Sequence, residues 1–256
     1  MLALPLVLLL VATPEPPDDA RAPGAAHEGS VPATTAPGRR AVARDDVAAL
    51  VRRCVEAYGG EAAIGRAARS VHEGTVTSLL HPGAPGRIGR AYARPGRLRV
   101  EVAFQDSAEG EIRVLDGGRG WRRGQEVEGP LLTSMILQAA RMDLPALLAA
   151  RGAKVEARGT LALDGKTLRV LALTLAPGVV VEAGIDPATG RILRSRGSAA
   201  GPAPVEFITT YSDFRTVDGV LVPFHEENWA NGKTTGETAL SRVEFPESFP
   251  PDLFRP

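Results

Sequence analysis

The sequence predicts a mainly β protein with helices, an α+β fold built on a strongly curved antiparallel sheet, or half-open β-barrel, covered by helices. Three observations predict it. The first is alternation with a period of two. Leu98, Val100, Val102 and Phe104 alternate with Arg97, Arg99, Glu101 and Ala103, so one face of a strand is apolar and the other polar. The second is a succession of turn signals between such runs: Asp164-Gly165, Pro177-Gly178, Asp218-Gly219 and Asn231-Gly232. Asp-Gly and Asn-Gly close tight hairpins, because both central residues can take positive φ, and a series of hairpins makes an up-and-down meander. The third is an interruption. Residues 130–151 have helical composition and are apolar almost all round, so this segment needs more than one apolar partner.

In chain order, Leu2 to Ala12 is an apolar run of signal-peptide length, too short to span a bilayer as a helix. Residues 1–26 therefore read as a signal peptide cleaved near Ala12, Ala22 or Ala26, and the protein as exported to the periplasm. No cysteine follows the run closely, so no lipid anchor is expected. Residues 27–44 are rich in Pro, Ala and Gly, bury too little surface to fold, and read as a linker. A single domain is expected over residues 45–256.

The domain opens with a helix. Asp45 and Asp46 suit its first turn, and Val47, Leu50, Val51, Cys54, Val55 and Tyr58 form its apolar stripe. Gly59-Gly60 stops it, and a helical turn follows to Ala68. Strands are predicted over 70–80, 87–94, 98–104, 110–115 and 120–123. In the helical segment at 130–151, Pro145 divides the helix and Asp143 is placed to cap its second half. Strands resume over 154–163, 167–175, 179–185, 191–198, 205–216, 220–230 and 234–245. Leu168 and Val170 face one way and Leu171, Leu173 and Leu175 the other, so that strand needs cover on both sides.

Composition narrows the function. Lys+Arg and Asp+Glu both count 30, so no net basic field points to nucleic acid. The one cysteine, Cys54, lies on a helical apolar stripe and reads as a buried structural thiol. His72, His81 and His225 are scattered, without metal-site spacing, and His225-Glu226-Glu227 reads as a solvated strand edge. Gly117-Gly118-Arg119-Gly120 joins two strands and reads as a turn rather than a phosphate cradle. No constellation for a reaction, a metal or a cofactor emerges. Tyr211, Phe214, Phe224 and Trp229 cluster on consecutive strands, either as ordinary core or as the lining of a cavity for an apolar guest.

Several motifs carry a family resemblance. YARPGRLR at 92–99, LDGG at 115–118 and Trp121 resemble the LolA/LolB-like carriers of bacterial outer-membrane lipoproteins, in which a strand runs into an Arg-Pro or Lys-Pro turn and a later one ends in Asp-Gly before an aromatic. Gly59-Gly60, YSDFRTVDGVLVPF at 211–224 and VEFPESFPPDLFRP at 243–256 are similar to segments of outer-membrane lipoprotein-sorting proteins. The resemblance covers residues 45–256. It implies a monomeric, non-enzymatic carrier that binds lipid or lipoprotein acyl chains in an apolar cavity. It would exchange them with an inner-membrane donor and an outer-membrane acceptor, and contribute to outer-membrane biogenesis. The cavity is expected to be lined by Leu98, Val100, Val102, Phe104, Trp121 and the helix face of Met135, Leu137 and Met142. Arg94 matches the Arg of Arg-Pro, which the resemblance implies contacts the lid and helps gate it. The chain departs from those carriers in its greater length after the helical insertion and in the segment YSDFRTVDGV at 211–220, so no cargo is carried over. An alternative of the same fold is an envelope sensor that binds a protein partner through the curved sheet.

Overall fold

A computed structural model describes residues 44–105, 110–199 and 205–256. The expected signal peptide and almost all of the linker lie outside the described residues. Helices α1 (Arg44–Ala57) and α2 (Gly60–Arg66) precede strands β1 (Arg69–Ser78), β2 (His81–Ala93), β3 (Arg97–Phe104), β4 (Glu111–Asp116), β5 (Arg119–Arg122) and β6 (Gln125–Val127). Helices α3 (Gly129–Arg141) and α4 (Leu144–Ala149) follow. The chain then forms β7 (Val155–Leu163), β8 (Lys166–Ala176), β9 (Val179–Ile185), β10 (Ile192–Ala199), β11 (Val205–Val217), β12 (Val220–Ala230) and β13 (Lys233–Glu244).

The thirteen strands of the described residues form one antiparallel sheet in the order β6-β5-β4-β3-β2-β1-β13-β12-β11-β10-β9-β8-β7. Each half is a meander of neighbours in sequence, as the turn signals predict. Asp164-Gly165, Asp218-Gly219 and Asn231-Gly232 each have both φ angles positive, the requirement of a tight two-residue hairpin. The same conformation at Arg123-Gly124 turns β5 into β6, a strand the sequence does not announce because Arg at that position is no turn signal. The long-range pairing of β1 with β13, for example Val71 opposite Glu244, joins the halves.

The sheet is open and strongly curved. Helix α3 touches β3, β4 and β5 on one side and β9 and β10 on the other. β4 and β10 are seven strand positions apart in the sheet. Flat, they would lie about 34 Å apart at ~4.8 Å per strand, whereas a helix is about 10–12 Å across. The sheet must therefore curl round α3. Register shifts in β1 at Glu73/Gly74, in β12 at Asn228/Trp229 and in β8 at Thr174/Ala176 supply local bends.

Pro130 and Pro145 both sit in the first turn of their helices, where the missing N–H costs nothing. Helix α3 is apolar on two sides and has two partners. Leu131, Leu132 and Met135 pack with Ile88, Tyr92, Leu98, Val100 and Leu115 of the N-terminal half. Leu137 packs with Leu171, Val181, Ile185 and Ile192 of the C-terminal half, and Cys54 and Tyr58 bring α1 to the same cluster. Cys54 is fully buried, and burial pushes its thiol up to about 12, which suits the expected inert role. A third group, Val114, Trp121, Phe249 and Phe254, lies on the other face of the N-terminal strands.

Candidate functional site

The concave face beneath α3 is where Leu98, Val100, Val102, Met135 and Met142 of the expected cavity residues meet. Leu98 and Val100 are almost wholly buried there, Val102 packs at their side, and Met135 closes over them. Met142 packs against the same cluster from the end of α3. Leu137 turns to the other half, where the backbone of Gly197 admits it: a Cβ at residue 197 would lie 2.4 Å from the Leu137 methyls. Two expected lining residues are elsewhere. Phe104 stacks on His81, ring centroids 3.9 Å apart and planes 12° apart, away from α3. Trp121 lies on the opposite face with Phe254, because the neighbour that faces α3 is Gly120, under Leu132 and Met135. A one-residue step along a strand reverses the face.

Arg94 joins the α3–α4 junction to the sheet. Its Nε donates to Asp143 Oδ2 at 2.6 Å and its Nη2 to Asp143 Oδ1 at 2.5 Å, while Nη2 also donates to the Ile64 carbonyl of α2 at 3.2 Å. Tyr92 Oη donates to the same carboxylate at 2.9 Å. Asp143 occupies the N-cap position of α4, as expected, but makes no side-chain capping bond. Its carboxylate is spent on Tyr92 and Arg94, although its carbonyl accepts the Leu147 N–H at 3.0 Å. A bidentate, charge-assisted pair in a buried corner outweighs a single capping bond. The hydrogen bonds to Asp143 raise the affinity of Arg94 for its proton, against the opposing effect of burial.

The concave face also carries charge that the sequence reading missed. Arg90, 5% exposed, donates from Nη1 to Glu226 Oε1 and pairs through Nη2 with Glu226 Oε2, both at 2.8 Å. It also donates to Thr238 Oγ1 at 3.1 Å. Glu226 is thus inward and paired, not part of a solvated edge. Burial pushes Glu226 up, and Arg90 more than offsets this and holds it below the usual carboxylate range. His72, directly opposite Arg90 in the ladder, is driven down to about 4 by burial and then by Arg90, and so is neutral. Arg141, the last residue of α3, donates from Nε to Ser195 Oγ at 3.1 Å and from Nη2 to the Phe207 carbonyl at 3.3 Å. Ser195 Oγ lies 2.7 Å from Tyr211 Oη. The available signal was the strand period, since Arg90 stands two residues from both Ile88 and Tyr92 in the inward row.

The cavity beneath the α3–α4 junction is small, about 80 Å³, while a wider, more open groove of about 980 Å³ lies between α1, α4 and β7. Sites for drug-sized ligands run to about 300–1,000 Å³. The concave face is filled by α3 itself. Among the described residues, no group of three or more His, Cys, Asp or Glu side chains could hold a metal, and no helix is long and apolar enough to cross a membrane.

A curved open sheet with a helix across its concave face describes the architecture, and solved structures share the overall fold. A LolA superfamily protein from Nitrosomonas europaea superposes with a TM-score of 0.55 at 12% identity, over 81% of this chain and 96% of that one. A domain from Vibrio parahaemolyticus, described as an outer membrane lipoprotein-sorting protein domain, superposes with a TM-score of 0.51 at 10% identity, over 81% of this chain and 95% of that one. The chain thus shares its fold with a LolA superfamily protein, in line with the resemblance its motifs carry. No family model and no curated protein matches the sequence.

Proposed function

We propose that the protein is a periplasmic, non-enzymatic carrier or binder of lipid or lipoprotein acyl chains, held on the concave face once α3 swings away. The observation that carries this reading is the double apolar burial of α3, which plugs a curved apolar sheet instead of completing a closed barrel. Burying a side chain such as Met135 or Leu137 is worth about 1.5–3 kcal/mol, so the large apolar side chains of α3 together are worth roughly 10 kcal/mol. An acyl chain of about twelve methylenes offers about 10 kcal/mol at ~0.8 kcal/mol per CH₂. It can compete for the same face. The ion pair of Arg94 with Asp143, at the α3–α4 junction, is the latch in this scheme. The shared fold with a domain described as lipoprotein-sorting supports the reading, and so does the apolar run at Leu2–Ala12 for export.

Native mass spectrometry of protein purified from a bacterial envelope is expected to show an acyl-bearing ligand, and a fluorescent fatty-acyl probe to bind saturably. Arg94→Leu is expected to leave the circular dichroism spectrum intact while speeding amide exchange in α3 and α4 and altering release of the probe. Absence of any acyl ligand together with no saturable probe binding would overturn the carrier reading. Loss of folding in Arg94→Leu would make Arg94 a plain structural residue.

A further inference from the structure

The face of β10, β11 and β12 turned away from α3 carries an open groove of about 880 Å³ that the carrier reading leaves unused. Strand register shapes it. Arg194, Thr210 and Glu227 stand directly opposite one another on three neighbouring strands, and Ile208 stands opposite Trp229 one row along. They face outward because their chain neighbours Ser195, Tyr211 and Glu226 face inward. Thr210 and Ile208 make the floor. Arg194 and Glu227 rise on either side of it, two strand spacings apart, about 10 Å at ~4.8 Å each. Phe214 and Trp229 add aromatic surface, with Leu193 beside them. Both belong to the aromatic set that stands out in the sequence, and Phe214 lies in the segment at 211–220 where the chain departs from the carriers it resembles. Charge in the groove balances: Arg191, Arg194 and Lys166 against Asp164, Asp213 and Glu227. Lys166 lies 3.6 Å from Asp186, Asp213 is held by Arg215, Arg191 lies 5.3 Å from the Phe214 ring centroid, and Asp164 is exposed in its turn. Arg194 and Glu227 are half-buried and have no hydrogen bond or ion pair among the described residues. A free donor wall thus faces a free acceptor wall across a neutral floor, beside aromatic rings.

We propose that this groove binds an uncharged oligosaccharide. Sugar hydroxyls both donate and accept, which suits a guanidinium on one wall and a carboxylate on the other, and hydrogen bonds to charged groups are the stronger kind. A sugar ring also has an apolar face, which packs on an aromatic side chain such as Trp229. The balance of charge gives no advantage to an anionic or a cationic ligand. An amino-acid zwitterion carries its two charges too close together to meet both walls. An extended peptide has no strand to join, because the groove crosses the face of the sheet, where the backbone groups are already paired, and not an open edge. The volume falls within the range of small-ligand sites, about 300–1,000 Å³, and the run across three strands suits a short chain of rings. The site lies on the face opposite α3, so it is independent of the carrier reading.

The test is isothermal titration of the full chain with maltotetraose, cellotetraose and chitotetraose, and with tetragalacturonate as a charged comparison. Saturable binding of at least one neutral tetrasaccharide is expected, tighter than that of tetragalacturonate. Trp229→Ala is expected to weaken it about tenfold, the scale of a lost aromatic contact, with the native circular dichroism spectrum and acyl-probe binding unchanged. Glu227→Gln and Arg194→Met are each expected to weaken it several-fold. No saturation with any neutral tetrasaccharide overturns the proposal and leaves the carrier reading standing. Equal or tighter binding of tetragalacturonate overturns it too, as does sugar binding that none of the three variants weakens. Dodecyl maltoside below its micelle concentration identifies the source of the sugar. Binding tighter than that of maltotetraose and weakened in Trp229→Ala supports the site as one for a glycolipid head, and equal binding supports it as one for a free glycan.

Discussion

At the scale of single residues, the inward charges decide how the protein responds to acid. His72 has its pKa lowered to about 4 in the fold, from about 6.5 in an unfolded chain. Between those values the unfolded state binds the proton and the folded state does not. Stability is therefore fully present above about pH 6.5 and falls as pH drops toward 4, by about 3 kcal/mol if the whole shift is realised. Glu226, whose folded pKa is depressed, acts in the same direction at lower pH, because its pairing with Arg90 is lost on protonation. Urea unfolding between pH 7 and pH 4 is expected to show a falling midpoint, with the slope between 6.5 and 4 flattened in His72→Asn. An unchanged slope in that variant would place the titration elsewhere. Neither residue stood out in the sequence. A histidine and a glutamate on alternating strands read as surface groups until the partner strand, here β2 with Arg90, is known.

At the scale of elements, most of the secondary structure was legible because its signals are local. Asp-Gly and Asn-Gly set hairpins within a few residues, Pro145 restarts a helix, and Gly59 at φ 97° ends one. What was not legible is how closely α3 approaches the sheet. Gly197 of β10 leaves room for Leu137, and a side chain at residue 197 would meet those methyls at 2.4 Å. Gly197→Val is expected to cost about 1–3 kcal/mol by overpacking, and Leu137→Ala in the same chain to relieve part of it. A double-mutant cycle by chemical unfolding measures the coupling, and strictly additive effects would show that the two do not share that space. The same variant is expected to loosen α3 without disturbing β1 to β5, which amide exchange resolves element by element.

At the scale of the whole molecule, the C-terminal segment acts as a strap over the outer face. After β13, Phe249 and Phe254 meet edge to face at 5.5 Å and pack with Val114 and Trp121, while Arg97 lies 5.0 Å from the Phe254 ring centroid. The strap ties the end of the C-terminal half to the N-terminal strands, beyond the β1–β13 ladder. It also explains why Trp121 turns away from α3. Phe254→Ala is expected to lower stability by about 3 kcal/mol, as buried Phe-to-Ala changes do, with the concave face and acyl-probe binding retained. Loss of probe binding at full occupancy of the fold would tie the outer strap to the inner site instead.

The sequence by itself determined every described strand except β6, the helical interruption, the stop at Gly59-Gly60 and the curved-sheet class, because turn chemistry and hydrophobic period act over a few residues. It also placed Leu98, Val100 and Met135 among the inward apolar groups. Only the tertiary structure decided which face of each strand is concave, and with it the outward turn of Trp121 and the inward turn of Arg90 and Glu226. Only it brought Arg94 to Asp143 across 49 positions and Arg141 to Ser195 across 54. The physical reason is that a strand has two faces of known composition but no knowledge of its partner. Burial is assigned by long-range pairing and by the helix that the curled sheet closes upon.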